Sequence, residues 1–257
     1  MRTIIAGAGH AGVTRRRNVV ACWLLAVVAI AGFTRLGFWQ LDRMHQKQAM
    51  LDAVHHVVEA REPRPLAVAA DPARSGGYDW AAGSGHFADA PAVILDNQGR
   101  DERPGVRVYR AFVPEAGAPL LVELGWKPLP GDRTMPTVPR PDARRVAGLL
   151  LPPPSSGLAR GTPVPQADGS LLVVALDLPT LREALGLGAL APRVLKPDPE
   201  VGLPGADGYV RDLEILPNTL PPDRHLGYAV QWFGLAVAAL VIALVLTFRK
   251  PSRRSTP

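Results

Sequence analysis

Two long apolar runs, each bordered on its outer side by a short basic tail, restrict what this chain can fold into more than any other feature. The first, Val19–Phe33, continues through "TRLGF" to Phe38. At about 1.5 Å per helical residue, roughly 20 residues cross a hydrocarbon core of about 30 Å. The second run, Leu226–Phe248, holds no charged residue and is long enough to do the same. Arg35 falls near the outer end of the first run, where a long side chain can reach the interface.

The net charge of +6 over 257 residues first suggests a nucleic-acid partner. Its distribution points elsewhere. Residues 1–17 carry Arg2, Arg15, Arg16 and Arg17 with no acid, and residues 249–257 carry Arg249, Lys250, Arg253 and Arg254 with no acid. The tails supply +8 of the total +6, so residues 18–248 net −2. Basic charge confined beside apolar runs is the positive-inside pattern of a membrane protein, not a nucleic-acid-binding face. The expected fold class is an α+β membrane protein, with two transmembrane helices flanking a small, mostly antiparallel β domain outside the cytoplasm. Its expected parts are cytoplasmic tails at 1–17 and 249–257, membrane helices at 18–38 and 226–248, and a periplasmic segment at 39–225. The expected location is a bacterial inner membrane, with both termini cytoplasmic.

Two other readings of the N-terminus are weaker. "AIA" at 29–31 fits a signal-peptide cleavage site, but apolar character resumes beyond it in "LGFW". "GAGHAG" at 7–12 fits G-x-G-x-x-G, yet a dinucleotide fold needs a strand before the glycines and a helix after them. Here three arginines and an apolar span follow, so the motif reads as part of a flexible tail.

After the first span, "WQLDRMHQKQAMLDAVHHVVEAREP" reads as a helix that runs on to about residue 62, before Pro63. Beyond it lie β-like runs at 92–95, 106–113, 119–124, 146–151 and 171–176, and a short helix at 179–187. "PEAGAP" suits a hairpin loop, and Ser84 in "AGSGHF" suits a turn. Proline-rich stretches such as "LPPPSSG" and "KPDPEVGLPG" read as loops.

Enzyme chemistry finds little support. G-x-S-x-G, H-E-x-x-H and C-x-x-C-H are all absent, and the single cysteine, Cys22, precludes a disulfide framework. Copper delivery wants soft thiolate or thioether ligands, and the segment between the spans has no cysteine and few methionines. No catalytic residue is assigned.

What remains lies at the two membrane exits. At 100° per residue, His225 and Trp232 stand about 20° apart on the second helix, flanked by Tyr228 and Ala229. On the first helix Gln40, Met44 and Lys47 line up in the same way, with Arg43 beside them. Trp39, Tyr228 and Trp232 also suit an aromatic belt against membrane lipid, and Arg43 and Lys47 suit headgroup contact. "PPDRH" offers Asp223 as an N-cap with His225 in the first turn. The positive helix end favours a neutral imidazole that can ligate metal. A flat apolar ring stacked near Trp232 and Tyr228, its carboxylates on Arg43, Lys47 or Arg224, describes a haem. His45, His55, His56 and His86 remain unranked as second ligands.

These residues resemble a known family. "LGFWQLDRMHQKQAML" resembles the G-x-W-Q-x-x-R-x-x-x-K signature of the surfeit locus protein 1 family of cytochrome c oxidase assembly factors, and "HLGYAVQWFGLA" resembles its closing H-x-x-Y-A-x-x-W-F motif. Between them, "GHFADAPAVILDNQGRDERPGVRVYRAFVP" followed by "LLVELGWKP" resembles its strand pair. The motifs keep the family's order from about Leu36 to Phe248. One departure is Glu123-Leu124 where the family has Asn-Arg before Gly125-Trp126. The resemblance implies an assembly factor that is not an enzyme. It would bind haem a transiently at the outer membrane face and aid its insertion into oxidase subunit I, alongside other oxidase assembly factors. His225 would be the iron ligand, with Tyr228, Trp232, Gln40, Arg43 and Lys47 around the cofactor. A scaffold that binds oxidase subunits without haem is the alternative.

Overall fold

The structure is a computed structural model that describes residues 8–154, 161–203, 208–216 and 219–249. The ends at 1–7 and 250–257, and parts of the loops expected around 155–160 and 204–207, lie outside the described residues. The chain divides into two compact units, one made of Met1–Ala49 with Leu220–Pro257, the other of Met50–Thr219.

The first unit is a helix pair. α1 spans Ala8–Ala60, so its last turns belong to the second unit, and α3 spans Pro222–Phe248. Both are long and apolar enough to cross a membrane. Leu24, Leu25 and Val28 on α1, and Val237, Ile242 and Val245 on α3, turn outward and are exposed. Such an apolar exterior is costly in water and suited to lipid. The expected flexible tail is corrected in part: α1 already runs from Ala8, and the glycines at 9 and 12 lie within it. At the other end, Arg61 takes a positive φ of 43° just after the last helical residue, its amide bonded back to the Val57 carbonyl, and Pro63 forbids continuation.

The second unit is built on a nine-stranded sheet. Its strands are β1 (Arg64–Pro65), β2 (Asp79–Phe87), β3 (Val93–Leu95), β4 (Gly105–Pro114), β5 (Leu120–Pro128), β6 (Arg145–Leu151), β7 (Val164–Pro165), β8 (Leu171–Val173) and β9 (Val194–Pro197). Short 3₁₀ turns at Leu66–Ala70 and Pro72–Arg74 follow β1, and α2 spans Leu178–Ala184. The order is β1-β2-β6-β9-β5-β4-β3-β8-β7, with β2 also pairing β4. This extra pairing closes a ring of β2, β6, β9, β5 and β4. β2 makes both contacts by changing partner: residues 79–84 pair β6 and residues 85–87 pair β4. Gly85 sits at the change, and a Cβ there would lie 2.2 Å from the Val113 carbonyl oxygen. Only glycine permits that approach.

The sheet is mixed, which corrects the expected mostly antiparallel arrangement: β1–β2, β3–β8 and β5–β9 run parallel. Hydrophobic periodicity marks a strand but says nothing of its partner's direction. Ser84 lies inside β2 rather than in a turn, and β9 takes in Lys196 and Pro197, the first two residues of the expected loop "KPDPEVGLPG". One face of the sheet packs Val106, Val108, Phe112, Val122 and Leu150 into a core. The other packs Tyr109, Leu121, Leu149 and Val194 with Leu181 of α2 and Val54 of α1. With both faces covered, even charged strand residues are buried, and they survive there by pairing.

Candidate functional site

The helix pair is held by stripes of small and aromatic residues. On α3, Ala229, Ala236 and Ala243 are buried at heptad spacing, with His225 one turn before the first. On α1, Phe33, Gly37, Gln40, Met44 and Lys47 keep the same period and are buried or half-buried. Heptad spacing keeps one seam of each helix facing its partner. A Cβ on Gly37 would lie 2.6 Å from the Phe233 ring, so glycine admits that ring. Phe38 meets Phe233 edge-on at 5.4 Å between centroids, and Phe33 stacks on Trp232 at 5.7 Å. Farther along, Trp23 Nε1 donates to Thr247 Oγ1 at 2.9 Å.

The polar centre of this seam is His225 with Gln40. Both are buried, and His225 Nδ1 lies 2.6 Å from Gln40 Oε1. An amide oxygen only accepts, so this contact assigns the proton to Nδ1 and leaves the Nε2 lone pair free. Nε2 is buried and has no hydrogen-bond partner among the described residues. Buried polar atoms are nearly always satisfied, so this exception calls for an explanation. A second-residue acceptor on one ring nitrogen, with the other nitrogen open, is the usual arrangement of a metal-binding histidine.

Of the other expected site residues, Lys47 and Arg43 stand close enough for their charges to act on His225. Trp232 is half-buried against Phe33. Lys47 donates to the Leu220 carbonyl at the entry to α3. Arg43 is exposed and donates to Gln46 Oε1 at 3.1 Å, one turn along its own helix. Tyr228 is exposed and off the buried stripe. Asp223 is not the N-cap, as had been expected: the cap is Pro221, without a side-chain bond, and Asp223 lies in the first turn. Proline at the first helical position presets the backbone and lacks the amide that a cap would satisfy. His55 faces Glu59 at 3.1 Å on α1, both exposed. Phe33 and Gly37 were overlooked, although each lies on the stripe through Gln40: Phe33 stands one heptad before it.

No group of three or more histidine, cysteine or acidic side chains capable of holding a bare metal ion occurs among the described residues. A lone histidine is insufficient for a free ion. It suffices for an iron already held by the four nitrogens of a porphyrin, which needs only an axial ligand from the protein. The residues present therefore fit a haem through His225 Nε2, with the Phe33–Trp232 pair two turns farther along the same seam. Nε2 is shielded from solvent, so a ligand would reach it only if its neighbours were displaced.

The "Glu-Leu-Gly-Trp" departure is internal. Glu123 and Leu124 are buried within β5, and Trp126 is buried with its Nε1 donating to the Gln98 carbonyl. Gly125, at φ 133°, sits where β5 passes the Val210 backbone and where the β4–β5 register shifts. Glu123 accepts from Arg107 and from the Tyr109 hydroxyl. The segment is thus strand interior, and its acid has internal partners.

The class that this fold defines is an α+β chain with two helices long and apolar enough to cross a membrane and a mixed sheet closed into a ring. The SURF1 family model matches residues 27–237, the bulk of the chain, and the protein belongs to that family. The family is associated with cytochrome oxidase assembly, and its members are assembly factors rather than catalysts. No curated protein matches the chain.

Proposed function

We propose that this protein carries haem a, for a short time, at the outer face of a bacterial inner membrane and aids its insertion into subunit I of the terminal oxidase. In this reading the tails at 1–17 and 249–257 are cytoplasmic, 18–38 and 226–248 span the membrane, and 39–225 is periplasmic. The observation that carries it is the buried His225 Nε2, without a partner among the described residues while Gln40 holds Nδ1. The haem supplies an iron with an open axial position. Gln40 sets the tautomer of His225, the Phe33–Trp232 pair gives an aromatic wall, and Tyr228 lies outside it. Arg43 and Lys47 supply charge for the propionates. Burial keeps water from competing for Nε2.

The test is an absorption spectrum of the protein purified from cells that make haem a. Wild type is expected to show a Soret band, and His225→Ala to lose it. No band in wild type, or an unchanged band in His225→Ala, removes haem binding from the reading and leaves a scaffold for oxidase subunits and other assembly factors.

A further inference from the structure

The outward face of α1 carries two opposite charges that no other side chain neutralises. Arg35 and Asp42 are both exposed, and neither side chain has a hydrogen bond or ion pair among the described residues. Seven positions apart in the sequence, they stand within about 20° of each other around the helix and about 10.5 Å apart along it. An open groove of about 830 Å³ has both in its wall, together with Phe38 and Trp39. Trp39 is 50% exposed, although Gln40 beside it is buried in the seam. Toward the N-terminus the same face continues in Ala31, Val28 and Leu24, all exposed.

The neighbouring charges are engaged or face elsewhere. Arg43, next to Asp42 in the chain, is about 100° away around the helix and is held by Gln46. Lys47 is held by the Leu220 carbonyl. On α3, Asp223 and Arg224 lie about 120° and 140° round from Ala229, which is buried in the seam, so both are on the side away from α1. The face is therefore neutral in sum but ordered along the helix: apolar, then cationic, then anionic. A lone cation in an apolar span is costly, and its long stem carries it toward the headgroups. A phospholipid whose phosphate is followed by an ammonium presents the complementary order from chain to head. The carboxylate selects among such heads. It repels phosphatidylglycerol, which is anionic only, and a quaternary choline ammonium has no N–H to donate to it. A primary ammonium donates a charge-assisted hydrogen bond.

We propose that this face of α1 holds one molecule of phosphatidylethanolamine, its phosphate on Arg35, its ammonium on Asp42 and an acyl chain along Ala31, Val28 and Leu24. Trp39, between the two charges, suits the glycerol level, where an amphipathic ring is at home. The inference rests on the reading that 18–38 spans a membrane. It does not rest on haem or on the direction of the termini, because none of its residues belongs to the His225–Gln40 couple.

The experiment uses the full chain in detergent, titrated with an equimolar mixture of dioleoyl phosphatidylethanolamine, dioleoyl phosphatidylcholine and dioleoyl phosphatidylglycerol. Native mass spectrometry counts the lipids that each chain retains. Wild type is expected to retain one phosphatidylethanolamine, about threefold in preference to either other lipid, the size of an exposed ion pair. Asp42→Asn is expected to lose the preference over phosphatidylcholine, and Asp42→Glu to keep it. Arg35→Gln is expected to lower retention of all three lipids. Both positions are exposed, and circular dichroism checks that the helices persist. Equal retention of the three lipids by wild type, or an unchanged preference in Asp42→Asn, overturns the ammonium contact and with it the proposal. Unchanged retention in Arg35→Gln overturns the phosphate contact. Washing membranes with alkaline carbonate tests the span separately: a chain that spans stays with the membrane whether or not it prefers this lipid.

Discussion

The two units bury polar groups in opposite ways. The sheet unit buries charges in numbers and pairs them. Arg107, Glu123, Lys196 and Asp212 form one network, and Asp79 collects Arg64, Arg74 and the fully buried Arg193 in another. Among the described residues, the helix pair buries a neutral couple, His225 with Gln40, and leaves one ring nitrogen without a partner. A paired buried charge is a structural commitment, since removing either partner strands the other. An unpaired neutral nitrogen at a helix seam costs less and remains able to take a ligand. The contrast is one of charge: the sheet unit holds its buried ions in pairs, and the helix pair holds a neutral couple.

The strongest challenge to this contrast is Glu123→Gln. It keeps the shape of the side chain and removes the charge that Arg107 and Tyr109 share. Breaking a buried pair typically costs about 3–5 kcal/mol. A loss near the lower end is expected, because Asp212 still neutralises part of the network. Denaturant unfolding of the sheet unit within the full chain measures it. A loss below about 1 kcal/mol would show that these charges are not structural.

The same treatment of the helix pair is expected to act on ligand binding. Gln40→Leu leaves Nδ1–H buried without an acceptor and frees the ring to change tautomer. Loss of such a supporting partner typically lowers metal affinity about 10–100-fold. Haem titration of the purified variant, read at the Soret band, gives the number. Gln40→Glu supplies an acceptor again and is expected to restore binding. If Gln40→Leu binds haem as wild type does, Gln40 does not position His225.

Sequence periodicity already placed His225 and Gln40 on two stripes, because helical phase is a property of the chain alone. It could not decide which flanking residues face the partner helix. Tyr228 and Arg43 are near neighbours of those stripes in phase, yet the approach of α1 to α3 through Ala229 and Gly37 leaves both outside. The strands at 106–113 and 146–151 were legible from their apolar runs. β2 was not, because Gly83, Ser84 and Gly85 dilute its pattern. Those residues are needed where one strand passes from β6 to β4, a requirement set by closure of the ring and invisible locally. β9 was hidden by Lys196 and its flanking prolines, since a buried lysine is legible only once its carboxylate partners are placed.

Acid supplies a smaller test of the sheet network. Burial alone would raise the Asp212 carboxyl, but Lys196 and Arg107 outweigh it and hold the group down at about 2, below its ordinary value of about 3.9. A carboxylate depressed on folding stabilises the native state above its unfolded value, and that stability is lost as pH falls through the folded value. The window is therefore about pH 4 to pH 2. Asp212 is partly open to solvent, so screening reduces its share to about 1 kcal/mol. Unfolding measured against pH in wild type and Asp212→Asn is expected to differ in slope only within that window. Equal slopes would mean that the carboxyl is not held by the two cations.

The smallest expected effect is that of Tyr228→Ala, and it sharpens where the interior of the helix pair ends. Tyr228 is 41% exposed, whereas Ala229 beside it is 1% exposed. A surface substitution away from packing typically changes stability by no more than about 0.5 kcal/mol. The variant should therefore leave the helix pair as stable as wild type. Trp232→Ala should not, since the Phe33 stack is worth roughly 0.5–1.5 kcal/mol beyond its buried area. Thermal unfolding of the two variants in the same lipid gives the comparison. Haem titration then separates two roles for Tyr228. Unchanged affinity marks it as a ring at the lipid interface. A loss comparable to that of Trp232→Ala would mean that the tyrosine swings inward when the neighbours of Nε2 are displaced, so that the bound site extends beyond the stripe seen here.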